Sequence, residues 1–165
     1  MSKINKVHAR QVFDSRGNPT IEAEVILENN IKASSIVPSG ASTGAFETHE
    51  LRDNEKNNFL GKSVYNAVKN VNTIISKQII NQDPNDQKKI DEILLKLDGT
   101  ENKKNLGGNS LLAVSLAVKK ASILLNKENH FDSKKEVFLP YPLMNIINGG
   151  AHANNDLNIQ EFMIR

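Results

Sequence analysis

The spacing of the apolar residues changes once along the chain, and this change constrains the fold more than any other feature. Residues 20–27 alternate between apolar and polar side chains, which is typical of a half-buried strand. Its apolar face carries Ile21, Ala23, Val25 and Leu27. Turn-forming residues flank this segment at 14–19 and 28–30. With segments 6–13 and 31–37, the pattern predicts a three-stranded antiparallel meander.

From residue 63 onward the spacing is that of helices. The first predicted helix, 63–80, has one apolar stripe: Val64, Ala67, Val68, Val71, Ile74, Ile75 and Ile79. A second helix should begin with Asp83 as N-cap and Pro84 in the first turn, and should end at Gly99. Its predicted apolar face consists of Ile90, Ile93, Leu94 and Leu97. A third helix, about 109–125, is apolar on most sides and should be the most buried. The fold class is therefore α+β.

Composition excludes several kinds of protein. The 165 residues include no Cys, which excludes disulfides, Cys-ligated metals and thiol nucleophiles. The formal net charge of +2 is too small and too evenly spread for a nucleic-acid-binding surface. The N-terminus lacks the apolar core of a signal peptide, and no apolar run reaches the roughly 20 residues of a membrane span. We therefore expect a cytoplasmic protein without nucleic-acid partners.

A polar and basic stretch at 126–135 predicts a boundary between two domains, 1–135 and 136–165. The residues after it differ in character, because 143–150 and 157–164 are apolar runs. Both runs are predicted to be buried strands with loops at their ends.

Three segments have the composition of a functional site. Residues 38–44 place small and hydroxyl residues directly after a strand, which suits an anion or Mg²⁺, although for this segment alone a structural turn is the favoured interpretation. His152 follows a Gly pair at a predicted strand end, where ligands bind in parallel α/β folds. Strand alternation places Gln160 and Glu161 on opposite faces unless the strand ends or bulges there. A carboxylate among apolar residues must be paired, bound to metal or shifted in pKa.

The polar turn at 14–19 has two interpretations. Arg16 could pair with Asp14, which makes the turn a hairpin corner, or it could reach a phosphate. The hairpin corner is the simpler interpretation.

Taken together and in this order, six motifs closely resemble the enolase family, the phosphopyruvate hydratases of glycolysis. They are DSRGNPT (14–20), VPSGASTG (37–44), ELRD (50–53), LGGNS (106–110), PLMNIINGGAHA (142–153) and IQEFMI (159–164). The resemblance implies an N-terminal α+β domain followed by the first strands of an incomplete (β/α)8 barrel. It also implies Mg²⁺-dependent, reversible dehydration of 2-phosphoglycerate to phosphoenolpyruvate, and it allows a homodimer.

The resemblance assigns roles to four residues. Ser42 is expected to be a magnesium ligand, His152 and Gln160 substrate contacts, and Glu161 a catalytic and substrate-binding acid near the departing hydroxyl. The family's catalytic Lys, its main proton-donor Glu and the three carboxylates that hold the first magnesium are expected beyond Arg165. A barrel of this kind takes on the order of 250 residues. The 165-residue chain is therefore predicted to be inactive by itself.

The sequence departs from the family pattern at two places. Ala45 and Phe46 replace more polar residues, and Gly108 stands where Ala is usual, which should loosen the start of the third helix by up to about 1 kcal/mol.

Two other functions are compatible with the sequence. The chain could instead be an interaction module, which salt-sensitive RNA binding would reveal. It could also be a phosphate-binding domain that uses residues 39–44.

Overall fold

The computed structural model describes residues 2–40, 44–127 and 138–165. The chain forms two compact units. Unit 1 comprises the described residues of Met1–Ser39 and Phe46–Glu128, and unit 2 those of Gly40–Ala45 and Asn129–Arg165. The predicted domain boundary after residue 135 lies outside the described residues.

Unit 1 begins with the predicted three-stranded antiparallel meander. Its strands are β1 (Ile4–Phe13), β2 (Pro19–Leu27) and β3 (Lys32–Ile36), in that spatial order. The four apolar residues predicted on the inner face of β2 are fully buried. Asn30 adopts a φ of 65° in the β2–β3 turn, as the tight turn requires. The alternation and the turn chemistry together produce this sheet.

The first predicted helix is continuous but contains a wider turn. It consists of α1 (Tyr65–Asn70), a π-helical turn (Val71–Ile75) and α2 (Ser76–Ile79). From Ala67 onward the buried apolar side chains recur every four residues, at Ala67, Val71, Ile75 and Ile79, and Val64 lies three residues before the first of them. An α-helix has 3.6 residues per turn, so a four-residue spacing would drift around it, and the wider π turn keeps the stripe on one face. Ile74, predicted on the buried stripe, is 40% exposed, so that assignment is wrong.

The π turn also caps the edge of the sheet. Asn72 accepts from the backbone N–H of Ala9 at 2.7 Å and donates to the Ala9 carbonyl at 3.0 Å. β1 has β2 on one side only. The Asn72 amide therefore supplies hydrogen bonds that a neighbouring strand would otherwise make.

Helix α3 (Gln87–Asp98) begins later than predicted. Its N-cap is Asp86, whose carboxylate accepts from the N–H of Lys89 at 3.2 Å. The predicted cap, Asp83, instead accepts from the N–H of Asn85 and closes a turn before the helix. The predicted apolar face is confirmed, and Gly99 ends the helix at a φ of 70°.

The loop after α3 is organised by Asp98, which is almost fully buried. Its carboxylate accepts from the N–H of Leu106 at 2.7 Å and from the N–H and hydroxyl of Thr100. Burial alone would raise the pKa of Asp98, but these hydrogen bonds outweigh it and leave the pKa lowered. Asp98 thereby fixes the connection to the next helix.

Helix α4 (Gly108–Asn126) is the most buried helix of unit 1, as predicted. It packs against β2 and β3. Among the described residues, α4 is the one helix long and apolar enough to cross a membrane by length and composition alone. Half of its apolar window is buried inside the structure, as in a core helix.

Unit 2 contains a two-stranded antiparallel sheet, formed by β4 (Met144–Asn148) and β5 (Glu161–Ile164). The predicted strands are present, but the prediction that they are buried is wrong, because every residue in both is exposed. The apolar runs identified the strands correctly, but no described element covers either one.

Candidate functional site

A short connection between β4 and β5 brings the predicted site residues together. After β4, Gly150–His152 forms a single 3-10 turn. The N–H of Gly149 donates to the Gln160 carbonyl at 3.0 Å, and the N–H of Gly150 donates to the Leu157 carbonyl at 2.8 Å. These bonds hold the turn that carries His152 beside the start of β5.

Gly149 is required here because two backbone segments approach it closely. A Cβ at this position would lie 2.6 Å from the Leu157 carbonyl oxygen and closer still to that of Ile159. Cβ atoms essentially never approach backbone oxygens so closely. Only glycine therefore allows residues 157–160 to pack against residue 149.

The side chains of His152, Gln160 and Glu161 meet at this point. Nε2 of His152 lies 2.8 Å from Nε2 of Gln160, and Nδ1 of His152 lies 3.1 Å from Oε1 of Glu161. The His152 and Glu161 side chains are 28% and 33% exposed. The His152 and Glu161 side chains are therefore accessible to a small molecule.

Strand geometry explains how two consecutive residues reach one imidazole. Glu161 is the first residue of β5 and pairs with Asn148, whereas Gln160 precedes the strand. The alternation that would send their side chains to opposite faces does not extend to Gln160. The sequence analysis left open that the strand ends at this point, and in the structure β5 does begin at Glu161.

Three asparagines that the sequence reasoning did not single out support the connection. The Asn145 amide donates to Oδ1 of Asn148 at 2.5 Å, and the Asn155 amide donates to the Asn148 carbonyl at 3.0 Å. Oδ1 of Asn155 accepts from the N–H of Leu157. Asn145 and Asn148 lie within the PLMNIINGGAHA motif, which marked this segment as functional. Their individual roles depend on the hairpin geometry, which the motif does not show.

Ser42, the predicted magnesium ligand, lies outside the described residues. The chain before it is firmly held at Ser39, whose carbonyl accepts from Nη2 of Arg16 at 2.6 Å. The Ser39 hydroxyl donates to Oε2 of Glu50 at 3.0 Å. Arg16 also lies 3.8 Å from Asp14, so it forms the predicted hairpin corner.

Arg52 joins this corner to its surroundings, and its place in the ELRD motif was the one sequence signal for such a role. Its guanidinium donates to the carbonyls of Pro19 and Lys62 and pairs with Glu50 at 2.8 Å. The Arg52 side chain is only 18% exposed. The largely buried guanidinium therefore joins three stretches of the chain, at Pro19, at residues 50–52 and at Lys62.

The chain after the serine segment is held by α4. The N–H of Gly108 donates to the His49 carbonyl at 2.8 Å, and the Asn109 side chain pairs with both backbone groups of Leu51. A Cβ on Gly108 would lie 2.7 Å from Oγ1 and 3.0 Å from Cβ of Thr48. Thr48 therefore occupies the space that an alanine would need.

Comparison with known proteins agrees with this geometry. Residues 4–131 match the family model described as "Enolase, N-terminal domain", and residues 136–165 match "Enolase, C-terminal TIM barrel domain". The chain belongs to the enolase family. An enolase of Pelagibacter ubique (strain HTCC1062) is 58% identical over 168 aligned residues, which include all of this chain. The chain spans 40% of the length of that enolase.

The two matches to enolase family models account for the two units. The three-stranded sheet and helices of unit 1 correspond to the enolase N-terminal domain, and the β4–β5 pair falls in the partial match to the enolase barrel. An incomplete barrel explains why apolar strands are exposed.

The described residues do not form a magnesium site by themselves. No group of three His, Asp or Glu side chains among them converges on a point that could hold a metal ion. At the candidate site, one oxygen of Glu161 already faces His152, and Mg²⁺ prefers several oxygen ligands. Any magnesium bound by this chain would need ligands beyond those that the described residues bring together.

Proposed function

We propose that this chain provides the N-terminal domain and the first barrel strands of an enzyme that interconverts 2-phosphoglycerate and phosphoenolpyruvate plus water. The observation that carries this proposal is the convergence of His152, Gln160 and Glu161 in an enolase-family chain. A carboxylate, an amide and an imidazole on one accessible hairpin can bind a small polar substrate and move a proton.

Each residue has a defined part in the proposal. The Glu161 carboxylate lies near the departing hydroxyl and assists its protonation, and the Gln160 amide contacts the substrate. His152 belongs to the same substrate pocket. The Ser42 hydroxyl is a hard oxygen donor and serves as one ligand of Mg²⁺. When bound, Mg²⁺ would stabilise negative charge that develops on the substrate carboxylate.

The proposal extends to the organisation of the protein. Residues 1–135 form the N-terminal domain and residues 136–165 begin the catalytic domain. The small-molecule substrate binds at the catalytic domain, and the assembled enzyme works in the cytoplasm, where it can form a homodimer.

The 165 residues alone should not catalyse the reaction, because a barrel of on the order of 250 residues is needed to complete the site. The test is to join residues 1–165 in frame to the remaining part of the Pelagibacter enolase. Formation of phosphoenolpyruvate from 2-phosphoglycerate is then followed by its ultraviolet absorbance with Mg²⁺ present. We expect activity from the joined protein and none from the chain alone.

A matched pair of variants locates the chemistry. Glu161→Gln should lower kcat by about 100-fold or more, as expected when a general acid or base is lost. Asp156→Asn makes the same charge change on an exposed residue of the same hairpin and should leave kcat unchanged. A joined, folded protein without activity, or a fully active Glu161→Gln variant, would refute the proposed function.

A further inference from the structure

Two pairs in the sequence place an Asp or Asn directly before glycine, Asp98–Gly99 and Asn148–Gly149. Such a pair can cyclise, because the backbone nitrogen of the glycine lies within reach of the side-chain Cγ of the residue before it. Glycine has no Cβ to hinder this approach, and it leaves the backbone free to adopt the dihedral angles that ring closure needs. The two pairs have different surroundings in this structure.

The Asp98–Gly99 pair is locked within unit 1. Asp98 is almost fully buried, and against the effect of burial its hydrogen bonds from Thr100 and Leu106 lower its pKa. The carboxylate is therefore ionised, and its negative charge repels a nucleophile. The N–H of Gly99 donates to the Leu95 carbonyl at 3.0 Å. Neither the nitrogen nor the carbon is available for ring closure while unit 1 is folded.

The Asn148–Gly149 pair is protected by a hydrogen bond of the hairpin. Asn148 is exposed, and its neutral amide carries no charge that repels a nucleophile. Gly149 is buried, and its N–H donates to the Gln160 carbonyl at 3.0 Å. Every residue of β4 and β5 is exposed, and a two-stranded pair is marginally stable in water. The bond that protects the Gly149 nitrogen therefore breaks whenever the hairpin opens.

We propose that Asn148 is a site of spontaneous deamidation, closed while β4 and β5 are paired and open when they separate. In the open state the Gly149 nitrogen loses its proton to a base in solution and forms a bond to Cγ of Asn148. The Cγ–Nδ2 bond breaks, and the side-chain nitrogen takes up a proton from solvent and leaves as ammonia. Water then opens the cyclic imide at either carbonyl, which gives aspartate or isoaspartate. The overall reaction consumes one water and releases one ammonia, without oxidation or reduction.

Either product disfavours renewed pairing of the two strands. Asn148 pairs with Glu161, so a carboxylate at position 148 places two negative charges opposite each other, which destabilises the pair. Isoaspartate also adds one atom to the main chain of β4 and puts the following residues out of register. The turn that carries His152 follows directly. Deamidation should therefore separate His152 from Glu161 by a covalent change outside the three side chains of the site.

The test measures deamidation and hydrogen exchange on the same 165-residue chain at neutral pH. Peptide mapping by mass spectrometry gives the deamidation rate at Asn148, which is divided by the rate in the free peptide of residues 142–153. NMR gives the exchange rate of the Gly149 amide, which is divided by its rate in that peptide. Because both reactions need an open hairpin, the two ratios should agree within about 3-fold, and urea should raise both by the same factor.

Asn145 and Asp98 serve as internal controls. Asn145 is exposed on the same strand but precedes Ile146, whose branched side chain hinders the backbone nitrogen, so it should deamidate at least about 10-fold more slowly than Asn148. Asp98 precedes glycine and should stay unmodified until unit 1 unfolds.

Three results would overturn the proposal. They are deamidation of Asn148 at the peptide rate while the Gly149 amide is protected, intact Asn148 while that amide exchanges freely, and equal rates at Asn145 and Asn148. The measured rates involve no substrate and are independent of catalysis. An inactive joined enzyme would therefore refute the proposed function and leave the assignment of Asn148 standing.

Discussion

Replacing Gly108 with alanine tests whether packing or helix propensity decides the start of α4. Alanine is up to about 1 kcal/mol better than glycine in a helix interior, and the benefit should be smaller at the first residue of the helix. The added Cβ would lie 2.7 Å from Oγ1 of Thr48, about 0.7 Å inside the 3.4 Å where ordinary contact begins. Rotating Thr48 relieves that contact but not the 3.0 Å approach to its Cβ.

Overpacking of this kind typically costs about 1–3 kcal/mol. Thr48 is exposed and can move partly, which places the cost toward the lower end. We therefore expect Gly108→Ala to lower the free energy of unfolding by about 1 kcal/mol, the net of overpacking and the propensity gain. The double variant Thr48→Ala/Gly108→Ala should recover most of this loss, although Thr48→Ala alone should change little.

Urea denaturation followed by circular dichroism at 222 nm measures these differences, because the α-helices of the described residues belong to unit 1. The midpoint should fall for Gly108→Ala at constant slope and rise again in the double variant. A higher midpoint for Gly108→Ala, or strictly additive effects of the two substitutions, would show that Thr48 does not occupy this space.

Two further substitutions test other parts of the structure. The lowered pKa of Asp98 means that its stabilising effect is present above the unfolded-state pKa of about 3.9 and is lost as the pH falls through the folded-state pKa. Asp98→Asn should therefore lower the free energy of unfolding by about 2 kcal/mol at pH 7. Near pH 3 the urea midpoint of the variant should approach that of the wild type. An equal difference between the two midpoints at pH 7 and at pH 3 would contradict this. Gly149→Ala should separate residue 149 from the carbonyls of Leu157 and Ile159, so the Gly150 amide should exchange faster with solvent while the helical signal is unchanged. Unaltered exchange at Gly150 would mean that the close approach is not required.

Local patterns predicted the architecture of unit 1 because its elements bury one face each. Alternation identified β2, and the apolar stripe identified the long helix. The error at Ile74 arose because a 3.6-residue period was assumed where the chain uses four. The N-cap of α3 was misplaced because Asp83 and Asp86 both have capping side chains, and only the structure shows which one faces the first free N–H groups.

The candidate site was only partly predictable. His152, Gln160 and Glu161 were identified from the motifs, yet their convergence depends on the end of β5 and on the close approach at Gly149. Arg52 could not be assigned a role, because two of its partners are backbone carbonyls at Pro19 and Lys62, which a sequence pattern does not reveal. The strands of unit 2 were predicted to be buried because their residues are apolar. Apolar composition indicates that a strand requires covering by other elements, but it does not show which elements provide the cover.

The anchoring of Ser39 and of residues 48–51 has a consequence for how this family can vary. Arg16, Glu50 and Arg52 fix one end of the intervening segment, and α4 fixes the other through Gly108 and Asn109. Among the described residues of this segment, 40 and 44–47, none contributes a side chain to these contacts. Substitutions or small insertions there should cost little folding free energy, since loop closure depends only weakly on length. The anchored residues on either side can therefore keep their positions while the sequence between them changes.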